Sequence, residues 1–422
     1  MKKKLLSVSI IFFMLSALFA LHCAGSFSRG ILRAGQAGAF SDALYDMLEI
    51  YGEKSPSSDD SPYATKRIFV KTSESLNPRG AVMTARFGDV FVLQYATETA
   101  ASAALEYYLS LTKTEFAEID SLIKIAQSPE YLDSESLLSE DGDLNVILED
   151  IDEGETVAQA EGENYLSWGA AHIGVDIYTD YLSQVVGANN LNEVVVAVID
   201  TGIDATHPLF DGRIASGGKN FSSSSPIGYE YRDENGHGTH VGGIISDLTP
   251  QNVKILPLKV INAEGVAAFS AIIASVYYAA ELKLGGVNIV AANFSLSGAI
   301  STGSTSGSLY KAALENLRAL NILPVSAAGN DNRDALSYAP GNVESSITVS
   351  SVEYAGGKFS KAQSSNYGSS VDLCAPGVSI RSAKVGGGYV YMSGTSMAAP
   401  HVSAVIALLL SNPANENMSA KQ

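Results

Sequence analysis

Residues 194–199 (VVVAVI) form an unbroken apolar and mostly β-branched run that ends in Asp200. A strand with one wet face alternates polar with apolar residues, so a run without alternation belongs to a strand covered on both faces. From Val194 to the C-terminus such runs, among them Val253–Val260 and Ile322–Val325, alternate with helical stretches. That alternation predicts an α/β domain, a mostly parallel sheet with helices on both faces. The chain has 422 residues, 46% of them hydrophobic and 17% charged, with 38 glycines. This composition gives two or three domains room for a full core and excludes collagen, a coiled coil and wholesale disorder.

Charge divides the chain. The formal net charge of −18 is opposite to what a protein tracking nucleic-acid phosphates needs. No Lys or Arg occurs between Lys124 and Arg213, while residues 130–163 hold thirteen acids. Such a run repels itself and stays extended, so residues 127–165 read as an acidic linker. Before it, residues 62–126 read as a small α+β module. Its expected strands are Arg67–Thr72, Ala81–Phe87 and Val90–Tyr95, with a Gly88-Asp89 turn, a helix over Thr97–Leu111 and a last strand over Phe116–Ile125.

At the N-terminus, Lys2, Lys3 and Lys4 precede an apolar run from Leu5 to Leu21 and the small residues Ala24 and Gly25. Residues 1–25 therefore read as a secretory signal peptide, the alternative being a retained anchor, and the product is expected to be secreted or at the cell surface. Cys23 stands where a bacterial lipoprotein carries its lipid anchor, although His22 departs from the usual pattern; the other reading is that Cys23 leaves with the signal. Either fate leaves Cys374 without an intrachain partner, as an expected buried free thiol. Two cysteines make neither a disulfide scaffold nor a zinc site, and no cofactor or metal is implied.

Three motifs carry chemistry. Asp200 ends its strand where open α/β sheets place ligands, although many buried strands end in Asp to make a turn. In Asn235-Gly236-His237-Gly238-Thr239-His240, His237 stands near a helix start. It reads as a general base oriented by a carboxylate, or as a metal ligand with His240 at i, i+3; a third ligand at suitable spacing is missing. The bland reading, a satisfied core histidine, suits His240 better. In Gly394-Thr395-Ser396-Met397-Ala398-Ala399-Pro400, Ser396 opens a helix whose first N–H groups point at any developing anion, or is simply an N-cap. Pro400 cannot donate to the Ser396 carbonyl, so an irregular first turn is expected.

The order Asp200, His237, Ser396, with all three surrounding motifs, resembles the subtilisin family of serine proteases over about residues 168–411. The resemblance implies a secreted serine endopeptidase with those three residues as triad. Ser326-Ala327-Ala328-Gly329-Asn330 matches the family segment whose Asn donates to the oxyanion, which maps onto Asn330. Polypeptide substrate is implied to add a strand between Gly265-Val266-Ala267 and Ser295-Leu296-Ser297. Ala327, Ala328 and Gly329 would line the S1 pocket, Ser297 would narrow it, and Val266 with Phe269 suggests an apolar S4 site. Apolar or aromatic P1 residues are then preferred.

By the same resemblance the front module is a propeptide, an intramolecular inhibitor and folding aid, with self-cleavage inside the linker. The family's helix between the first two strands has little room between Thr72 and Ala81. Leu209 stands where one family calcium site needs an acid, so that site is not expected. Only 26 residues follow Ser396, so the peptidase domain 166–422 is either a natural minimal form or C-terminally truncated. Truncation sustains a rival reading, a non-catalytic binding protein that has kept the triad; a metal-dependent hydrolase is the third.

Overall fold

The computed structural model describes residues 66–124, with breaks at 73–75, 77, 79, 88–89 and 121. It also describes residues 167–418, with breaks at 223–230, 301–304 and 416–417. The expected signal peptide with Cys23, the Gly88-Asp89 turn and the acidic linker lie outside the described residues. The chain divides into two compact units.

In the first unit, β1 (Arg67–Thr72), β2 (Met83–Phe87), β3 (Val90–Gln94) and β4 (Thr114–Ile119) form an antiparallel sheet in the order β2-β3-β1-β4. Helix α1 (Glu98–Leu109) is capped by Thr97, whose Oγ1 accepts the Ala100 N–H at 3.1 Å. Its Ala101, Ala104 and Tyr108 share a core with Ile68, Val70 and Leu93. The single strand expected over Phe116–Ile125 is in fact two. Asp120 turns inward to the buried Arg67 guanidinium, 3.4 Å away, and ends β4. Leu122–Lys124 (β5) belongs to the second unit.

In the second unit the chain enters the middle of the main sheet through β6 (Val194–Asp200) and next adds β8 (Val253–Lys259) beside it, with β7 (Lys219–Asn220) outside β8. It then crosses to the other side of β6 for β10 (Ile289–Phe294), β12 (Leu323–Ala327) and β14 (Ile347–Ala355). These neighbours are all parallel; β15 (Lys358–Lys361) adds antiparallel and β16 (Leu373–Pro376) parallel to β14. The order reverses at the C-terminal end of β6, which makes Asp200 the residue at the topological switch point. Val194, Val196 and Val198 share one core with residues of α4 (His237–Asp247) and α7 (Thr395–Ser411). Val195, Ala197 and Ile199, pointing to the opposite face, are equally buried. This double burial is why the run contains no polar residue.

One expectation needs correction. Cys374 is exposed: among the described residues β16 has a single neighbouring strand, so Leu373 and Cys374 stay at the surface while Ala375 and Pro376 go under. Phe269, the first residue of α5 (Phe269–Leu284), is fully buried and edge-on to Tyr310. No helix among the described residues is long and apolar enough to cross a membrane.

Candidate active site

Asp200 is completely buried, and its Oδ1 accepts the Thr201 N–H at 2.7 Å and the His237 Nδ1–H at 2.8 Å. His237 opens α4, and the close approach of that helix to β6 depends on glycine. A Cβ on Gly238 would overlap the Gly202 carbonyl and lie 3.1 Å from Asp200 Oδ1. The helix start is fixed by Asp233. Its Oδ1 accepts the N–H groups of Asn235 and Gly236, while Oδ2 accepts the Thr239 N–H at 2.9 Å and its hydroxyl at 2.6 Å. Burial alone would lower the His237 pKa, but the Asp200 charge and hydrogen bond, helped by Asp233, outweigh it and hold the ring above its ordinary value.

Lys259 pairs in register with Asp200 and is 1% exposed, its Nζ donating to the Thr201 carbonyl at 2.6 Å. Burial pulls this lysine down, against the opposing charges of Asp233, Glu234 and Asp200. His240 faces elsewhere: its Nε2 donates to the Ile380 and Val390 carbonyls, and burial, then the neighbouring His237, push it down to about 3. It is a core histidine tied through Nε2, its Nδ1 buried without a partner. Among the described residues no group of three His, Cys, Asp or Glu could hold a metal ion.

Ser396 lies in the first turn of α7, and its hydroxyl donates to the Ser295 carbonyl at 3.1 Å. His237 Nε2 is buried without a hydrogen-bond partner. The expected row of acid, imidazole and hydroxyl is therefore linked at the acid end and unlinked at the hydroxyl end; such links are commonly long in free enzymes and tighten with substrate. Pro400 denies the Ser396 carbonyl its helical donor, and the Ser295 hydroxyl takes that place at 2.7 Å. Ser295 is itself held by Asn293 Nδ2 at 2.9 Å, and Asn293 by the Ser403 hydroxyl at 2.9 Å.

Asn330 lies beyond β12, with its side chain held by Thr395. The Thr395 N–H and hydroxyl donate to Asn330 Oδ1 at 2.9 and 3.0 Å, and the same hydroxyl accepts the Gly329 N–H at 3.1 Å. With Oδ1 engaged, Nδ2 is the donor end. It lies beside Gly394, where a Cβ would come within 2.9 Å of it; Gly394 has φ 147, a region that favours glycine.

The segments tied by resemblance to substrate follow the C-terminal ends of neighbouring strands: Gly265, Val266 and Ala267 after β8, Ser295, Leu296 and Ser297 after β10, and Ala327, Ala328 and Gly329 at the end of β12. A Cβ on Gly329 would lie 3.0 Å from Ser297 Oγ, so those two segments face each other closely. Val266–Ala268 forms a short strand, β9, and β5 pairs with it antiparallel, Ile123 opposite Ala267.

The sequence reading missed Asp233, Lys259 and Thr395 as supports of the site. An Asp four residues before a helix-opening histidine was a visible cap signal for Asp233; nothing local marked Thr395, whose hydroxyl meets Asn330 and Gly329 only through the packing of α7. Lys259 was not visible, because only the pairing of β6 with β8 brings it to Asp200.

The subtilase family model (peptidase S8) matches residues 192–422. Subtilisin-like protease 1 of Pseudogymnoascus destructans is 39% identical over 220 residues, 51% of this chain and 51% of that protein. Subtilisin-like protease 7 of Trichophyton equinum is 36% identical over 255 residues, 59% of each chain. Proteinase R of Parengyodontium album is 38% identical over 221 residues, 51% of this chain and 53% of that protein. Among solved structures, a cold adapted subtilisin-like serine proteinase matches with 37% identity and a TM-score of 0.47, over 55% of this chain and 79% of that chain. The chain spans about half to three fifths of the length of these curated relatives. Because the family model covers more than half of the chain, and runs from β6 through α7, the chain belongs to the subtilase family.

Proposed function

We propose that this chain is an exported serine endopeptidase that cleaves polypeptides through an acyl-enzyme. The observation that carries this reading is the 2.8 Å contact between a wholly buried carboxylate and an imidazole held above its ordinary pKa, made by residues 37 apart in the chain. Asp200 fixes the ring with Nδ1–H toward the acid, which leaves Nε2 as the base. His237 Nε2 takes the Ser396 proton as Oγ bonds to the scissile carbonyl carbon. The resulting oxyanion is stabilised by Asn330 Nδ2 and the Ser396 N–H. The C–N bond then breaks as the imidazolium returns its proton to the leaving amine. Water attacks the ester, its proton passes through His237 to Ser396 Oγ, and the new acid leaves.

The Ser295 carbonyl fits the start of this sequence. A peptide strand added beside Ser295-Leu296-Ser297 can offer it an N–H, and in the free chain it holds the Ser396 hydroxyl. Substrate arriving there competes for the carbonyl and releases the hydroxyl toward His237. Gly329 facing Ser297 makes a small-walled S1 pocket, for which apolar or aromatic P1 residues are the proposed preference. A peptide-library profile that favours charged P1 residues contradicts it.

Residues 62–126 are the proposed propeptide and the linker the proposed processing region. The pairing of residues 122–124 with residues 266–268 supports this, because an added antiparallel strand on β9 is the pose proposed for substrate main chain. Casein hydrolysis tests the activity: the purified protein is expected to hydrolyse it and Ser396→Ala to show none, while equal rates would overturn the assignment.

A further inference from the structure

Asn366 is fully buried, and it lies well away in sequence from the residues assigned above. Apart from its own carbonyl, which accepts the neighbouring Ser365 hydroxyl at 3.0 Å, its hydrogen bonds run to the short segment that carries Asn330. Its backbone N–H donates to the Gly329 carbonyl at 2.8 Å, and its Nδ2 to the Ala328 carbonyl at 2.9 Å. Its Oδ1 accepts the N–H groups of Asp331 at 3.0 Å and Arg333 at 2.9 Å. Residues 328–333 have left β12 and have no strand partner for these groups, and buried backbone polar groups must be paired. One primary amide, with a donor at one end and an acceptor at the other, replaces that missing strand.

The contact is close as well as complete. Gly329 has φ 100, and a Cβ there would overlap Asn366 Nδ2. Asn330 takes no part in these four bonds; its amide turns the opposite way, to Thr395. The segment is thus held from one side by Asn366 and from the other by the Thr395 hydroxyl on the Gly329 N–H. An oxyanion donor is effective only where its N–H already points at the position the oxygen will take, so a few tenths of an ångström in this loop alter its effect.

We propose that Asn366 is the positioning residue of the oxyanion donor, fixing the backbone on both sides of Asn330 and acting on the reaction only through it. The proposal rests on the protease reading above. Backbone bonds from the same stretch, Asn332 N–H to the Ser364 carbonyl and Tyr367 N–H to the Arg333 carbonyl, do not depend on the Asn366 side chain and keep the loop docked in a variant.

The experiment is a double-mutant cycle with Asn366→Asp and Asn330→Ala, read as kcat and KM on a chromogenic peptide amide. Asn366→Asp keeps the acceptor for Asp331 and Arg333 and sets an oxygen against the Ala328 carbonyl. It is expected to lower kcat about 10- to 100-fold, part of the ~10²–10³ lost when an oxyanion donor is removed outright, with little change in KM. In the Asn330→Ala background the same substitution is expected to change kcat by less than about 2-fold, since coupled residues are non-additive. Should Asn366→Asp fail to fold, Asn366→Ser is carried through the same cycle. An equal loss in both backgrounds, or no loss with Asn330 present, overturns the proposal alone; a wild-type chain without turnover overturns the protease reading and this proposal together.

Discussion

The chemistry of single residues is set by which neighbours burial leaves them. His237 and His240 stand three apart on one helix, yet the first is held above its ordinary pKa by Asp200 and Asp233 and the second is pushed down to about 3. As the proposed base, His237 acts only when neutral, so activity is expected to fall on acidification, and a raised pKa sets that fall above the usual imidazole range. The kcat/KM profile of the wild type is expected to show this acid limb. Asp200→Asn is expected to move the limb to lower pH and to reduce kcat by about 10⁴, because the ring loses both its charge partner and its tautomer. An unmoved limb contradicts the pairing. The same raised pKa means that the pair stabilises the fold at low pH, and that this contribution is lost as pH rises through the folded value. From sequence, Asp200, His237 and Ser396 were legible because their motifs are local. The unlinked Ser396–His237 contact was not, since it depends on the Ser295 carbonyl, about 100 residues from the serine in sequence.

At the level of elements, the helix that presents Ser396 carries a defect repaired from another strand. Pro400 has no N–H for the buried Ser396 carbonyl, and the Ser295 hydroxyl beyond β10 supplies the hydrogen bond. Ser295→Ala is expected to leave that carbonyl unpaired and to cost about 1–3 kcal/mol. Adding Pro400→Ala is expected to recover part of that loss by restoring the helical donor. Thermal or urea unfolding of both variants measures it, and a double variant no more stable than Ser295→Ala would contradict the account. The elements themselves were mostly legible: the unbroken run at Val194 gave β6 and its double burial. The end of β4 was not, because Asp120 turns inward only where the Arg67 side chain awaits it. The exposure of Cys374 was likewise hidden, since it follows from β16 having one neighbour among the described strands.

Across the whole molecule, the site exists only because a parallel sheet brings distant strand ends together. Asp200 ends β6, the segments proposed to hold substrate follow β8, β10 and β12, and α4 and α7 start at the same C-terminal end of the sheet. Sequence order implied this convergence; the support given by Lys259 and Thr395 emerged only with the strand order and the packing of α7. Processing belongs to the same scale: the mature N-terminus is expected between residues 126 and 165, which N-terminal sequencing of the exported product reads. The most direct measurement is made on that product, by reacting it with a fluorophosphonate and locating the adduct by peptide mass mapping. The account predicts a single adduct on Ser396, absent in Ser396→Ala and strongly slowed in His237→Ala. An adduct on another serine, or undiminished labelling without the histidine, would contradict it.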